Sequence, residues 1–427
     1  MVFFAGVTLL DVPLRAPIHR RESRFSLCAL LSVVVMGSVL SACVTAPPPP
    51  PPPMVEAPPP EEIGPPPRTD QPDFFRLRNT PDNSTPVRVA LLLPLSNPQA
   101  ETRALARALQ QAAELALFDS GNPNIILMPR DDGGSPERAV AAARAAIDDG
   151  AEIILGPLFA QAAAAVGPVA RASGVPVIAF SSDRAVAGNG VFLLSFQPET
   201  EVERIISYAA RTGHSAFAAL IPQTAYGDKV AEAFQATVNG EGGAITAIQR
   251  FGMQPGAVGE PAGAVAASYP DAILIAEGGV MLQALGPALA LRGATPPAVQ
   301  MLGTGLWNDP AVSREPMLRA GWFAAPPPEA WQGFSRRYEQ TYDETPPRLA
   351  TLSYDAISLV AALADGVPYR RFTPQTITDP NGFVGIDGIF RFRPDGGADR
   401  GLAVLQVGQG GFNIVDPAPT SFYTTGF

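Results

Sequence analysis

The sequence predicts an α/β fold of two lobes, each a doubly wound parallel sheet, joined by a hinge. Three observations predict it. Strand-length runs of Val, Ile and Leu are continuous rather than alternating, as strands buried on both faces require. These runs alternate with helical patterns, the order that lays helices on both faces of a parallel sheet. The alternation then starts afresh near Gln197-Pro198, so the chain holds two similar halves.

The first strand is Val87-Arg88-Val89-Ala90-Leu91-Leu92-Leu93, closed by Pro94 and Ser96-Asn97-Pro98. A helix over 101–118 follows, with Leu105, Leu109, Ala112, Ala113 and Ala116 at spacings of three and four. The second strand, Asn124-Ile125-Ile126-Leu127-Met128, breaks at Asp131-Asp132-Gly133-Gly134. Ser135-Pro136-Glu137 then supplies an N-cap, a proline in the first turn and an acidic residue favoured by the helix dipole, opening a helix that runs to Asp149. The unit recurs as a strand over 152–155, a helix over 160–173 and a strand over 175–180. The second series reads as helix 200–212, strand 216–221, helix 228–238, strands 245–251 and 272–276, helix 281–291 and strand 299–302. Helices over 329–342 and 350–364 come next, and 388–392 with 402–407 reads as a closing hairpin. The expected lobes are 87–197 completed by 320–370, and 198–319 completed by 371–427. A chain that crosses back between lobes makes a hinge, and the cleft between them is the default ligand site.

Ahead of these lobes stand two other kinds of segment. A basic stretch (Arg15, His19, Arg20, Arg21, Arg24) leads into an uncharged apolar run over 25–40 and then Leu40-Ser41-Ala42-Cys43. This resembles a bacterial lipoprotein signal and its lipobox. A transmembrane helix is the rival reading, but it needs about 20 apolar residues, and this run is shorter and ends in prolines that cannot continue a helix. The resemblance implies that residues 1–42 are removed and that Cys43 carries acyl chains, which together anchor the chain lastingly to a membrane. Val44 follows, where an aspartate would mark inner-membrane retention in that family, so the expected location is the periplasmic face of the outer membrane. The stretch before Arg15 is long for such a signal, and the expected start of translation lies downstream of Met1.

Residues 43–86 are expected to form a lipidated, proline-rich, disordered tether, with proline runs at 47–53, 58–60 and 65–67. Proline fixes φ and donates no amide hydrogen, so an extended spacer with no packed core follows. Its first twenty-odd residues span roughly 65 Å at ~3.1 Å per residue. It serves either to lift the lobes off the bilayer or to reach the cell-wall layer.

Composition excludes several functions. Loss of residues 1–42 leaves 26 basic and 38 acidic side chains, a net charge of −12, so nucleic acid is not an expected partner. One cysteine, Cys43, and one histidine, His214, remain, which rules out an internal disulfide, Cys-His metal clusters and Cys/His nucleophilic pairs. No metal, cofactor or enzymatic activity is expected. No nucleophile and base pair, metal spacing or phosphate loop is present, and nothing in the spacing of Asp132 and Asp183 argues for a paired-carboxylate hydrolase.

The residues Gly150-Ala151-Glu152-Ile153-Ile154-Leu155-Gly156-Pro157, Gly174-Val175-Pro176-Val177-Ile178, Tyr226-Gly227, Ser353-Tyr354-Asp355-Ala356 and Gly388-Ile389-Phe390-Arg391-Phe392 carry a resemblance by their order and spacing. Together they resemble the type I periplasmic binding-protein fold. Within it the chain is similar to the leucine/isoleucine/valine-binding group and to the binding-protein-like domain of lipoprotein activators of penicillin-binding proteins. Amino-acid binders of this family hold the ligand with hydroxyls after the third and fourth strands and a carboxylate from the second lobe. Here the third-strand loop, Gly156-Pro157-Leu158-Phe159-Ala160-Gln161, has no Ser or Thr. The fourth-strand loop keeps Ser181, Ser182 and Asp183, and Tyr226 falls where the family has a cleft tyrosine. Glu277-Gly278-Gly279 lacks the expected aromatic and acidic pattern, so a free amino acid is a doubtful ligand.

The candidate cleft residues are Ser181, Ser182, Asp183, Tyr226, Asp132, Glu277 and Trp307. Each has a plainer alternative. Asp132, with Asp131, can end its strand and serve the next helix; the Ser181-Ser182-Asp183 hydroxyls can satisfy their own turn; Trp307 can simply pack. Lys229, the only lysine, reads as solvated surface. The leading functional expectation is an outer-membrane lipoprotein that activates a penicillin-binding protein in peptidoglycan synthesis, although known long activators carry a helical-repeat domain that residues 46–86 cannot supply. The alternative is the solute-binding lipoprotein of an ABC importer for an amino acid or related small polar ligand.

Overall fold

Val87–Leu93 (β1) is an interior strand of a five-stranded parallel sheet, and apart from Arg88 its side chains are buried on both faces, as an apolar run without alternation requires. The computed structural model describes residues 74–77 and 85–422. The leader, Cys43 and most of the proline-rich stretch lie outside the described residues. After β1 come Ala100–Ser120 (α1), Ile125–Asp131 (β2), Pro136–Asp148 (α2), Ile153–Leu155 (β3), Ala160–Ala172 (α3), Val177–Ala179 (β4) and Val191–Leu193 (β5). The sheet order is β2-β1-β3-β4-β5, all neighbours parallel. Ser135 caps α2 by accepting the Arg138 amide at 3.3 Å, with Pro136 in the first turn, as its sequence signature predicts.

The second lobe continues with Pro198–Arg211 (α4), Ala216–Pro222 (β6), Ala225–Gly240 (α5), Ala244–Phe251 (β7), Gly259–Ala266 (α6), Ala272–Ile275 (β8), Gly279–Ala290 (α7), Gln300–Gly303 (β9) and Trp322–Ala325 (β10). The chain then returns to the first lobe as Pro328–Tyr342 (α8), Ala350–Leu363 (α9), Pro374–Ile377 (α10), Phe383–Gly385 (β11), Gly388–Phe392 (β12) and Ala398–Arg400 (β13). It ends in the second lobe as Ala403–Val407 (β14) and Phe412–Asp416 (β15). That lobe's sheet runs β15-β14-β10-β9-β8-β6-β7, parallel from β10 to β7 and antiparallel at β14 and β15.

Three expectations are corrected. First, the lobe boundaries shift: β10 belongs to the second sheet, while residues 328–400 belong to the first lobe. Phe390, Phe392 and Ala398 join its core, with the Phe392 ring 5.6 Å from that of Phe192. An apolar stripe fits either core equally well, and only the crossings at Pro326-Pro327 and Gly401-Leu402 decide which it enters. Secondly, 388–392 and 402–407 do not pair. β12 pairs with β11 and β13 instead, and β14 with β10 and β15, because the chain changes lobes between them. Thirdly, the expected tether is not featureless to Pro86. Phe75 exchanges two backbone hydrogen bonds with Leu127, at 2.8 and 2.9 Å, on the free edge of β2. Phe74-Phe75 has the amides and β-forming side chains that the proline runs lack.

The end of β3 shows why a glycine is needed where the first lobe meets the cleft. Gly156 has φ 81°, and a Cβ there would lie 2.2 Å from the Leu92 carbonyl oxygen. A side chain would push β3 away from β1 and displace the loop that follows.

Candidate functional site

The chain crosses between lobes three times, at 194–197, Pro326-Pro327 and Gly401-Leu402, and a cavity of about 360 Å³ lies beside these crossings. The first lobe and the crossings contribute Ser182, Phe196, Pro326, Arg348 and Leu349; the second contributes Pro198, Glu201, Tyr226, Gly305, Leu306 and Asn308. Its wall is mostly apolar, with a few polar groups converging on it, the usual make-up of a small-molecule site.

Glu201 stands on α4, one turn before Ile205 on the helix face that also buries Val202, Ile206 and Ala209. It is itself buried, and its Oε2 accepts the Gly305 amide at 2.9 Å. Gly305 permits this approach, since a Cβ there would fall 2.5 Å from Glu201 Oε1. Burial pushes the Glu201 carboxyl up to about 7, with Glu199 adding to the rise and the Gly305 amide and Arg400 opposing it. Between the ordinary value of 4.5 and about 7, the folded chain therefore holds a proton that the unfolded chain has lost. The stability this proton brings is full below the lower value and is lost as pH rises to the upper one, a difference of at most about 3 kcal/mol. Glu201→Gln keeps an acceptor for Gly305 without the titration. Thermal melts at pH 5 and pH 7.5 should show the wild type losing stability relative to Glu201→Gln as pH rises; parallel changes in the two proteins would refute the burial argument.

Arg348, just ahead of α9, is the guanidinium on the cavity wall. Its Nη2 pairs with the fully buried Asp387, and its buried Nη1 has no hydrogen-bond partner among the described residues. The guanidinium lies 4.5 Å from the Trp331 ring centroid and 5.6 Å from that of Phe196. Thr351 Oγ1 donates to Asp387 at 2.5 Å. Behind Phe196, Arg400 Nε donates to the Ser195 carbonyl at 3.2 Å and Nη1 lies 3.9 Å from Asp355. Burial, and then the neighbouring Asp387, raise the Asp355 carboxyl well above the carboxylate range. Two arginines and three carboxylates thus sit together where the chain crosses.

Of the residues singled out in the sequence, Ser182 and Tyr226 reach the cavity wall. Tyr226, in the first turn of α5 behind the Thr224 cap, shares a hydrogen bond of 2.8 Å with Thr304, and burial raises its phenol. Ser181 is buried and its Oγ accepts the Asp183 amide at 3.1 Å, closing its own turn. Asp183 accepts the Ala185 amide at 3.2 Å and pairs with Lys229, away from the cavity wall. Lys229 is thus bound across the lobes and is not the free surface lysine expected.

Asp132 is also off the cavity wall. Its Oδ1 accepts the Gly134 amide at 2.8 Å ahead of α2, and burial pushes its carboxyl up to about 6. The Glu277 side chain accepts the amide of its own neighbour Gly278 at 2.9 Å and does not line the cavity. Trp307 is fully buried in the second core, its Nε1 donating to the Glu277 carbonyl at 3.1 Å, so packing replaces the expected cleft role.

Sequence reasoning missed Glu201, Arg348, Phe196 and Leu306. Glu201 did leave a signal, an acidic residue in register with a helix's apolar stripe. Arg348 left none, because the partner that fixes it is distant in sequence.

The family model described as periplasmic binding protein matches residues 86–411. The chain belongs to the periplasmic binding protein family. Among curated proteins, this binding protein is 25% identical over 181 residues to the Leu/Ile/Val-binding protein BraC3 of Rhizobium johnstonii, covering 40% of this chain. The matches span 39% and 48% of the length of the curated relatives. Among solved structures, a Rhodospirillum rubrum protein described as a branched-chain amino acid ABC transporter superposes with a TM-score of 0.70 at 21% identity, over 77% of this chain and 100% of that one. A solute binding protein of an R. palustris ABC transporter, in complex with benzoate, superposes with a TM-score of 0.56 at 17% identity, over 79% and 97% of the two chains. These structural likenesses carry the fold, two lobes of parallel sheet about a cleft, and agree with the architecture described above.

Proposed function

We propose that this chain is the solute-binding component of an ABC importer in the periplasm, and that its solute is a small monocarboxylate with an apolar body. One observation carries the reading: a cavity between the lobes presents a single guanidinium, Arg348, against an otherwise mainly apolar wall. A carboxylate is the natural partner for a guanidinium that is 25% exposed on this wall, and Phe196, Leu306, Leu349 and Pro326 would take the body. Glu201 is a poor counter-ion for an ammonium, because burial disfavours its ionised form and Gly305 already takes one oxygen. Ser182 and Tyr226 remain as neutral hydrogen-bonding groups for orientation.

The relatives favour this reading over activation of a penicillin-binding protein, which rests on the lipobox, the proline-rich spacer and the loss of the amino-acid pocket's hydroxyls. Lipid on Cys43 and anchorage at the outer membrane stay part of the proposal. Calorimetry on the purified full chain tests the solute class. Benzoate should bind with a dissociation constant in the micromolar range, and leucine no better than about 1 mM, equivalent to only about −4 kcal/mol. Micromolar leucine with no benzoate binding would overturn the monocarboxylate assignment and favour an amino-acid importer.

A further inference from the structure

We propose that Lys229 and the Ser182-Asp183 loop form a latch that sets how far the two lobes stay closed over the cavity. Lys229 lies in the first turns of α5, in the second lobe, whereas the loop follows β4 in the first. The lysine Nζ stands 3.1 Å from Asp183 Oδ1 and donates to the Ser182 carbonyl at 3.2 Å. These are direct polar bonds from one lobe to the other, made at the residue that forms part of the cavity wall.

A second tie holds the same loop on its other side. Arg184 Nε donates to Gln197 Oε1, in the crossing segment, at 2.9 Å and lies 3.5 Å from Glu199 on α4. The loop is therefore gripped by both helices that open the second lobe. Of the two ties, the Arg184 one runs through the hinge and can persist as the lobes swing. The Lys229 tie spans the mouth and must break.

The pair has the strength a latch requires. Its side chains are 27% and 43% exposed, so water and salt compete for them, and such a pair biases an equilibrium by about twofold to fivefold rather than locking it. Closure about a hinge is a two-state equilibrium that a bias of this size shifts measurably. Lys229 acts through Ser182 and is a positioning residue. An ammonium reaches the carbonyl and the carboxylate together, and methionine, of similar length, can reach neither as a donor.

The latch rests on the reading that the cavity between the lobes is the solute site, yet its test needs no solute. Hydrogen exchange is measured on the purified full chain, wild type and Lys229→Met, at 20 mM and 500 mM NaCl. At low salt, Lys229→Met should raise exchange about twofold to fivefold both in 181–187 and in 304–308, on opposite walls. Lys229→Arg should restore the wild-type pattern, and high salt should erase the difference by screening the pair. Unchanged exchange in Lys229→Met at low salt overturns the proposal, as does a rise confined to 181–187, which would mean local loosening of the loop. Failure of benzoate to bind, with the exchange result intact, would count against the solute assignment and leave the latch standing.

Discussion

Replacing Trp307 by alanine is expected to lower the unfolding free energy by about 3–5 kcal/mol, the range for deleting a large buried aromatic side chain. The indole is fully buried, its ring centroid 6.3 Å from that of Phe323 on β10. The backbone is built around it. A Cβ on Gly303 would lie 2.1 Å from the indole and one on Gly321 would lie 2.9 Å away, so the two glycines surrender their own volume to the ring. Alanine at 307 leaves a hole that neither glycine can fill, and collapse would have to move β9 or the turn ahead of β10. It also strips the donor from the Glu277 carbonyl, adding the penalty of an unpaired buried acceptor. Trp307→Phe keeps one six-membered ring but loses that bond and part of the buried volume, so about 2–3 kcal/mol is expected. Urea denaturation of the three proteins measures both values. A loss under about 1 kcal/mol in Trp307→Ala would mean that the indole is not the keystone of the second core.

Trp307 illustrates what the sequence conveys and what it withholds. The parallel strands were legible because β6, β8 and all of β1 but Arg88 are continuous apolar runs, and burial on both faces explains such runs. Most helices were legible from their stripes and caps, as at Ser135, but the short α6 and α10 were not. Strands of three or four residues were read unevenly: β3, β4, β8 and β9 were legible, but β5, β10, β11 and β13 were not. Missing β10 removed the partner that would have identified Trp307 as core. The lobe assignment failed for a similar reason: Phe390 and Phe392 announce a core but not which one. At the site, Ser182 and Tyr226 could be read because the family resemblance implies ligand-holding hydroxyls after the fourth strand and a cleft tyrosine at this helix start. Arg348 could not, since its position is fixed by Asp387, Trp331 and Phe196, which come together only in the folded chain.

That convergence makes Arg348→Met the substitution with the widest expected consequences. Removing the guanidinium leaves Asp387 fully buried with only the Thr351 hydroxyl and places its charge beside Asp355 with one cation fewer. Breaking a buried pair from one side typically costs about 3–5 kcal/mol, because the orphaned charge keeps its desolvation penalty and loses its partner. The lower end applies here, since the Arg348 side chain is 25% exposed. Adding Asp387→Asn removes the orphaned charge while leaving an acceptor for Thr351, so the double variant should regain most of the lost stability. Affinity for benzoate should not return with it. If Arg348 holds the carboxylate, both variants bind at least about tenfold more weakly than wild type, the loss of one charge-assisted hydrogen bond. Asp387→Asn alone should bind as well as wild type or better, because Arg348 then has one fewer competing anion. Urea denaturation and calorimetry on the three variants separate the structural role of the arginine from its role toward the solute. A double variant that is both stable and fully competent for benzoate would show that the carboxylate is held elsewhere in the cavity.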